Sequence, residues 1–265
     1  MGAVSGSTNG PPRPRGAMPQ ILAPVGLEDR PALLPRESDR LTGLVDRLAG
    51  EVVLRHATGR RVLDLGRGAP AVTDWVSDRA ARLDVVDAVD LGRGGEIRVP
   101  LPDANYDCVY SLRTLPHLGR DPRTSVDALD SALVELARVL APGGIAVLQL
   151  DNARSPFGLY HGLRRLGRSL GRGPLVIDSP RGLTRFDVLG RVIERLPPTL
   201  TPIDLHGVGL VVPSSHLLVL PIIGRLLTRL EWYGRDQPLL RRFAAHLVVV
   251  FRRLTPARLV GSPSV

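Results

Sequence analysis

Val62-Leu63-Asp64-Leu65-Gly66-Arg67-Gly68-Ala69-Pro70 is the stretch on which the reading of the fold turns. A short apolar run closes on two glycines two positions apart, and a proline able to open a helix follows. A strand that passes through a glycine turn into a helix is the opening unit of an alternating α/β sheet. Glycine at either position lets another group approach the backbone closely, and the free N–H groups of a helix start face an anionic or polar ligand. On its own, Gly-x-Gly also fits a plain strand-to-helix turn or a dinucleotide site.

Upstream, Leu41, Leu44, Val45, Leu48 and Val52 recur at helical spacing, with Ser38 as a cap and Gly59 as the stop. Downstream, residues 82–87, 106–111 and 145–150 read as strands, 96–99 as a further short strand, and 126–140 as a helix with Leu129, Leu133, Leu136, Ala137 and Leu140 on one face. Pro142-Gly143-Gly144 reads as a sharp turn. Strands alternating with helices predict a mostly parallel sheet, with a ligand beyond the carboxyl ends of its strands. In the second half, 157–170 reads as an arginine-rich helix and 183–196 as another. Residues 200–205 read as a strand, 217–232 as an apolar helix kinked near Pro221, and 245–251 as a strong strand.

The 265 residues suit one domain with tails: 1–35 flexible and proline-rich, 36–253 folded, 254–265 a second tail. Apolar residues make up 43 % and aromatics 4 %, so aliphatic side chains must fill the core. The net charge is +9, and all 35 basic residues are arginine. A basic face for phosphate, nucleic acid or anionic lipid would explain this, as would coding bias; the even spread of the arginines favours bias. The single Cys108 leaves no intrachain disulfide and no cysteine metal site, which fits a reducing cytoplasm. Residues 1–16 lack the apolar stretch of a secretion signal. The apolar run 209–223 contains Pro213 and His216 and falls short of the roughly 20 residues of a bilayer span. The expectation is a cytoplasmic protein, with peripheral membrane contact left open.

Three further motifs give the glycine turn its context. Leu101-Pro102-Asp103-Ala104-Asn105-Tyr106-Asp107 leads into a strand, Ser111-Leu112-Arg113-Thr114-Leu115-Pro116-His117-Leu118 follows it, and the run from Glu135 to Gly144 leads into the next. In order and spacing they resemble the class I S-adenosylmethionine-dependent methyltransferases, in the group that includes the ubiquinone and menaquinone enzymes. The resemblance covers about residues 60–151, and more loosely extends to 251. It implies a three-layer α/β, Rossmann-like methyltransferase sheet, mostly parallel with an antiparallel last strand. That sheet would have seven strands, with 245–251 inserted beside 200–205. It also divides the domain into a cofactor half, 36–152, and a substrate or lid half, 153–253.

The resemblance further implies S-adenosylmethionine as cofactor. Asp64, Gly66 and Gly68 match the loop around its methionine half. An acidic residue ending the second strand would hold the ribose hydroxyls, two acceptor oxygens meeting two donors; Asp87 is the choice, with Asp84 and Asp90 as rivals. Ser111 and Leu112 would border the cofactor, and Glu96 would stand near its adenine amine. Asp107 matches a residue that is structural in the group. His117 is the expected general base for a hydroxyl acceptor, while His161, His206 and His216 are read as structural. Gln149, Asp151 and Asn152 end the fifth strand of the pattern and would bind substrate or shape a turn. The expected partner is a small-molecule acceptor, methylated on oxygen: lipid-like, a sugar or a secondary metabolite. No nucleic acid is expected, and the oligomeric state stays open.

Three departures stand out. Arg67 occupies a position where small residues are usual, Pro70 replaces a third glycine, and only twenty positions separate Asp87 from Asp107. They keep open a non-catalytic or membrane-peripheral protein on the same scaffold. A nicotinamide-dependent oxidoreductase has no use for the later motifs.

Overall fold

In the computed structural model, the described residues are 37–87, 96–165, 175–179, 182–210, 218 and 220–255. Residues 1–36 and 256–265, Asp90 and His216 lie outside them. The elements are α1 (Glu37–Ala57), β1 (Arg61–Gly66), α2 (Pro70–Ser77), β2 (Arg82–Asp87), β3 (Tyr106–Ser111), α3 (Pro122–Val139), β4 (Leu140–Asn152) and α4 (Pro156–Arg165). Then follow β5 (Leu175–Ser179), β6 (Gly182–Asp187), α5 (Leu189–Glu194), β7 (Leu200–Val208), α6 (Pro221–Arg235) and β8 (His246–Arg253).

One sheet runs β2-β1-β3-β4, with all neighbours parallel. Beyond β4, β8 pairs antiparallel with both β4 and β7. So 245–251 is inserted beside 200–205, as expected. Two differences bring the described sheet to eight strands. The β5–β6 hairpin joins the end of β4, where Asp151 and Asn152 pair with Phe186 and Asp187. That corrects the helix expected over 183–196, of which only α5 forms. Secondly, no strand forms over 96–99. The backbone of this segment is bonded by side chains of α3 instead. Ser131 Oγ donates to the Ile97 carbonyl and accepts from its N–H. Glu135 accepts from the Val99 N–H at 2.7 Å, and Arg138 donates to the carbonyls of Val99 and Leu101. Backbone groups satisfied this way need no ladder.

Helix starts follow local chemistry. Asp121 caps α3 by accepting from Arg123 and Thr124 N–H while Thr124 returns a bond, a capping box. Pro70 and Pro221 each sit in a first turn, where a missing N–H costs nothing. Pro221 therefore starts α6 rather than kinking a longer helix. Residues 142–144 lie inside β4 instead of forming a separate turn.

Apolar residues fill both faces of the sheet. Leu48, Val52, Val72 and Val147 belong to the α1/α2 layer, and Leu129, Leu133, Leu136 and Leu148 to the α3 layer. Cys108, on β3 between Val62 and Ile145, is fully buried, and burial pushes its thiol up to about 12. Arg235 of α6 is also buried; it bonds Glu51 and the Leu48 carbonyl of α1, pairs with Asp236 and lies over the Trp232 ring. His206 of β7 meets the same Asp236 at 2.5 Å. This network fixes α6 against α1 and β7.

Candidate functional site

The carboxyl ends of β1, β2 and β3 meet at one edge of the sheet. Gly66 pairs with Asp87 in the parallel register of β1 and β2, so the glycine turn and the acidic strand end are neighbours. Asp87 is half-buried, and no described group bonds its carboxylate.

Asp64 is turned inward. It is 2 % exposed, and its Oδ2 accepts from Thr73 Oγ1 at 2.6 Å and Tyr110 OH at 2.9 Å. Its Oδ1 accepts from the Arg67 N–H at 3.3 Å. Burial pushes its carboxyl up from the usual range, and these three bonds offset part of that rise. Asp64 thus ties β1, α2 and β3 to the turn. Three of the carboxylate's roughly four acceptor positions are thus met by the protein's own donors.

The glycines admit a neighbour as expected, but the neighbour is the loop after β3. A Cβ on Gly66, whose φ is +107°, would lie 2.2 Å from Thr114 Cγ2. On Gly68 it would lie 2.1 Å from the Leu112 carbonyl oxygen. Between them Arg67 takes φ +50°, a left-handed conformation unfavourable for a side-chain-bearing residue. Arg113 also has positive φ, and its guanidinium pairs with the buried Asp46 of α1 at 3.3 Å. Ser111 is buried, its hydroxyl donating to the Leu65 carbonyl at 2.7 Å, and the Leu112 side chain packs in the α1/α2 core. Asp64, Gly66, Gly68, Asp87, Ser111 and Leu112 therefore come together.

Glu96 and His117 share no hydrogen bond with that group among the described residues. Glu96 is exposed and lines an open groove of about 620 Å³ with Arg98, Val134 and Arg138 on the α3 side. His117 is exposed in a single turn, Leu115–His117, with Nδ1 3.2 Å from the Leu183 carbonyl and 3.3 Å from Thr184 Oγ1. Asp107 bonds Arg61 through two guanidinium nitrogens and the backbone N–H, which suits the structural part read for it. A constellation at the end of β4 was not assembled from sequence. His246 meets Asp151 at 2.7 Å, but only the antiparallel register, in which Asp151 faces His246, brings them together.

Residues 63–148 match a family profile described as a methyltransferase domain. The 27-O-demethylrifamycin SV methyltransferase of Amycolatopsis mediterranei (strain S699) is 32 % identical over 174 residues. The match covers 57 % of this chain and 59 % of that protein, so it spans less than two thirds of the relative's length. Among solved structures, an S-adenosylmethionine-dependent methyltransferase from Mesorhizobium loti is similar over 80 % of this chain and 100 % of its own, with TM-score 0.48 and 16 % identity. The 1,6-didemethyltoxoflavin-N1-methyltransferase of Burkholderia thailandensis, with 1,6-didemethyltoxoflavin and S-adenosylhomocysteine bound, is similar over 86 % of this chain and 93 % of its own, with TM-score 0.46 and 15 % identity.

Proposed function

We propose that this chain, whose residues 63–148 match a methyltransferase-domain profile, is a class I S-adenosylmethionine-dependent enzyme that transfers a methyl group from that cofactor to an oxygen of a small acceptor. The observation that carries the reading is the register of Gly66 with Asp87: it sets a carboxylate with no partner among the described residues beside the glycine turn, within the matched segment. The donor set suits the cofactor. Two carboxylate oxygens at Asp87 match two ribose hydroxyl donors, and the backbone of Gly66 to Gly68 and Leu112 would border the methionine half. The cofactor supplies a methyl group already activated on a sulfonium. The chain's own work is alignment and exclusion of water. In this reading Glu96 is the adenine contact and His117 is one candidate for the general base.

The acceptor class is a secondary metabolite, sugar or lipid-like molecule. The 27-O-demethylrifamycin SV that names the curated relative is the first acceptor to screen. Exposed apolar side chains on α4 (Phe157, Leu163) and α6 (Ile222, Leu226, Tyr233) suit a greasy acceptor, and equally a membrane surface. Among the described residues no helix is long and apolar enough to cross a membrane.

Calorimetry with S-adenosylmethionine and S-adenosylhomocysteine tests the reading. Expected is binding near the micromolar range, about −8 kcal/mol, weakened at least tenfold by Asp87→Ala with the melting temperature unchanged. No heat at millimolar ligand would overturn it. One observation favours the alternative of a non-catalytic scaffold, namely the close packing of Leu112 and Thr114 on both glycines.

A further inference from the structure

A group of polar side chains lies on the α1 side of the sheet, where β4 ends. Gln149 and Asp151 are two apart on β4, so they share a face with Ile145 and Val147 of the α1/α2 layer. His246, the first residue of β8, faces Asp151 across the antiparallel ladder, and its Nδ1 is 2.7 Å from Asp151 Oδ1. Asp46 of α1 pairs with Arg113 and lies close enough to His246 for the two charges to interact. The loop packed on the glycine turn and the Asp151–His246 pair are thus linked through one carboxylate.

Gln149 is the anomaly of this group. It is 1 % exposed, and neither its amide nitrogen nor its oxygen has a hydrogen-bond partner among the described residues. Arg113 Nε, on the same side, is also buried without a partner. Buried polar atoms are paired almost without exception, and leaving one unpaired is costly. A ligand hydroxyl, both donor and acceptor, would satisfy either end of the carboxamide. Leu239, Leu240 and Phe243 are all exposed in the segment leading into β8. Asn152 ties that segment to β4 by donating to the carbonyls of Arg242 and Ala244.

We propose that Asp151 and His246 form a proton-accepting dyad for a phenolic hydroxyl on an apolar scaffold, which Gln149 holds by hydrogen bonding. This rests on the methyltransferase reading and names its acceptor class. The Asp151 carboxylate fixes the proton on Nδ1 and leaves Nε2, which no described group bonds, as the accepting lone pair. The hydroxyl proton moves to Nε2 while the electron pair stays on oxygen, which becomes the nucleophile for the methyl group. The half-buried ring then returns the proton to solvent. A phenol, ionising near pH ~10 like tyrosine, gives up its proton to imidazole far more readily than an aliphatic alcohol. His117 lacks this arrangement: its Nδ1 faces a carbonyl and a hydroxyl rather than a carboxylate.

The experiment uses 1-naphthol as the probe. Its neutral and ionised forms emit at different wavelengths, and in a water-poor site it ionises on excitation only beside a base. Wild-type chain, His246→Asn, Asp151→Asn and Gln149→Leu are titrated with 1-naphthol in the presence of S-adenosylhomocysteine, and each is melted as a folding control. Expected are naphtholate emission from the probe bound to wild type, emission from neutral naphthol at similar affinity in His246→Asn, an intermediate ratio in Asp151→Asn, and at least tenfold weaker binding to Gln149→Leu. Identical emission in wild type and His246→Asn, or no saturable binding to a wild type that melts normally, would overturn the proposal. Calorimetry with S-adenosylhomocysteine alone separates the two readings. Heat without the emission difference removes the dyad and spares the methyltransferase reading; the emission difference without heat does the reverse.

Discussion

The hydroxyl of Tyr110 donates to the buried carboxylate of Asp64 at 2.9 Å, so the glycine turn is held from the neighbouring strand as well as from its own helix. Burial and the Asp64 charge push the Tyr110 phenol well above its ordinary range, so it stays a donor at all working pH values. Tyr110→Phe removes one of three donors from a carboxylate shut away from water. A loss of about 1.5–3 kcal/mol is expected, since hydrogen bonds to charged groups carry about that much. Urea denaturation of the two proteins measures it, with an unchanged midpoint as the contrary result.

The glycine turn makes an ordered prediction. Gly66→Ala and Gly68→Ala each drive a methyl group into Thr114 or the Leu112 carbonyl, and Gly66 also has a positive φ. Each should lower the unfolding free energy by about 2 kcal/mol or more, through overpacking and strain. Arg67→Gly, one position away, relieves a left-handed side-chain-bearing residue and should be neutral or mildly stabilising. Thermal melts of the three variants should rank them in that order.

Glu135 predicts how stability depends on pH. Hydrogen bonding from Arg138 holds its carboxyl below the usual range, with the Val99 N–H adding to the effect. A folded-state value below the unfolded one means that this stabilisation is complete above pH ~4.5 and is lost as pH falls through the folded value. Melting temperatures of wild type and Glu135→Gln should therefore differ most near neutrality and converge below pH ~4. A gap that stays constant down to pH 3 would contradict this.

Arg185 anchors the β5–β6 hairpin. It is fully buried, pairs with Asp187 at 3.0 Å and donates to the Ser125 carbonyl at the start of α3. Burial nonetheless pushes the Asp187 carboxyl up. Arg185→Leu alone leaves that carboxylate buried and unpaired, and should cost roughly 3–5 kcal/mol. The double variant Arg185→Leu, Asp187→Leu should recover most of the loss, as replacing a whole buried pair by apolar residues commonly does. A double-mutant cycle by chemical denaturation reads the difference.

The strands around the glycine turn were legible because their apolar runs end on residues with one conformational use, such as Gly66 and Pro70. The last strand was legible because five apolar residues in a row admit little else. The hairpin was not: residues 183–196 hold Phe186, Leu189, Ile193 and Leu196 at spacings that suit a helix. What makes 182–187 a strand is its pairing with the end of β4 and the bond from Arg185 to the Ser125 carbonyl, both distant in sequence. The site was legible in the same partial way. Local motifs named Asp64 and the glycines but not that the Asp64 oxygens are already bonded, since Tyr110 lies 46 positions away. His246 and Asp151, 95 positions apart, become a pair only through an antiparallel register.

Cys108 gives the chain a built-in clock. It is the sole thiol in the sequence and lies midway across the sheet between β1 and β4, with no solvent exposure. Thiolate, not thiol, reacts with disulfide reagents, so the folded chain should be inert to them. Labelling then has to wait until the central strands part, and where reclosing outpaces labelling, the labelling rate reports the free energy of that opening. Any ligand that binds only the closed sheet should slow the clock by the factor 1 + [L]/Kd, which makes occupancy measurable before any acceptor is known.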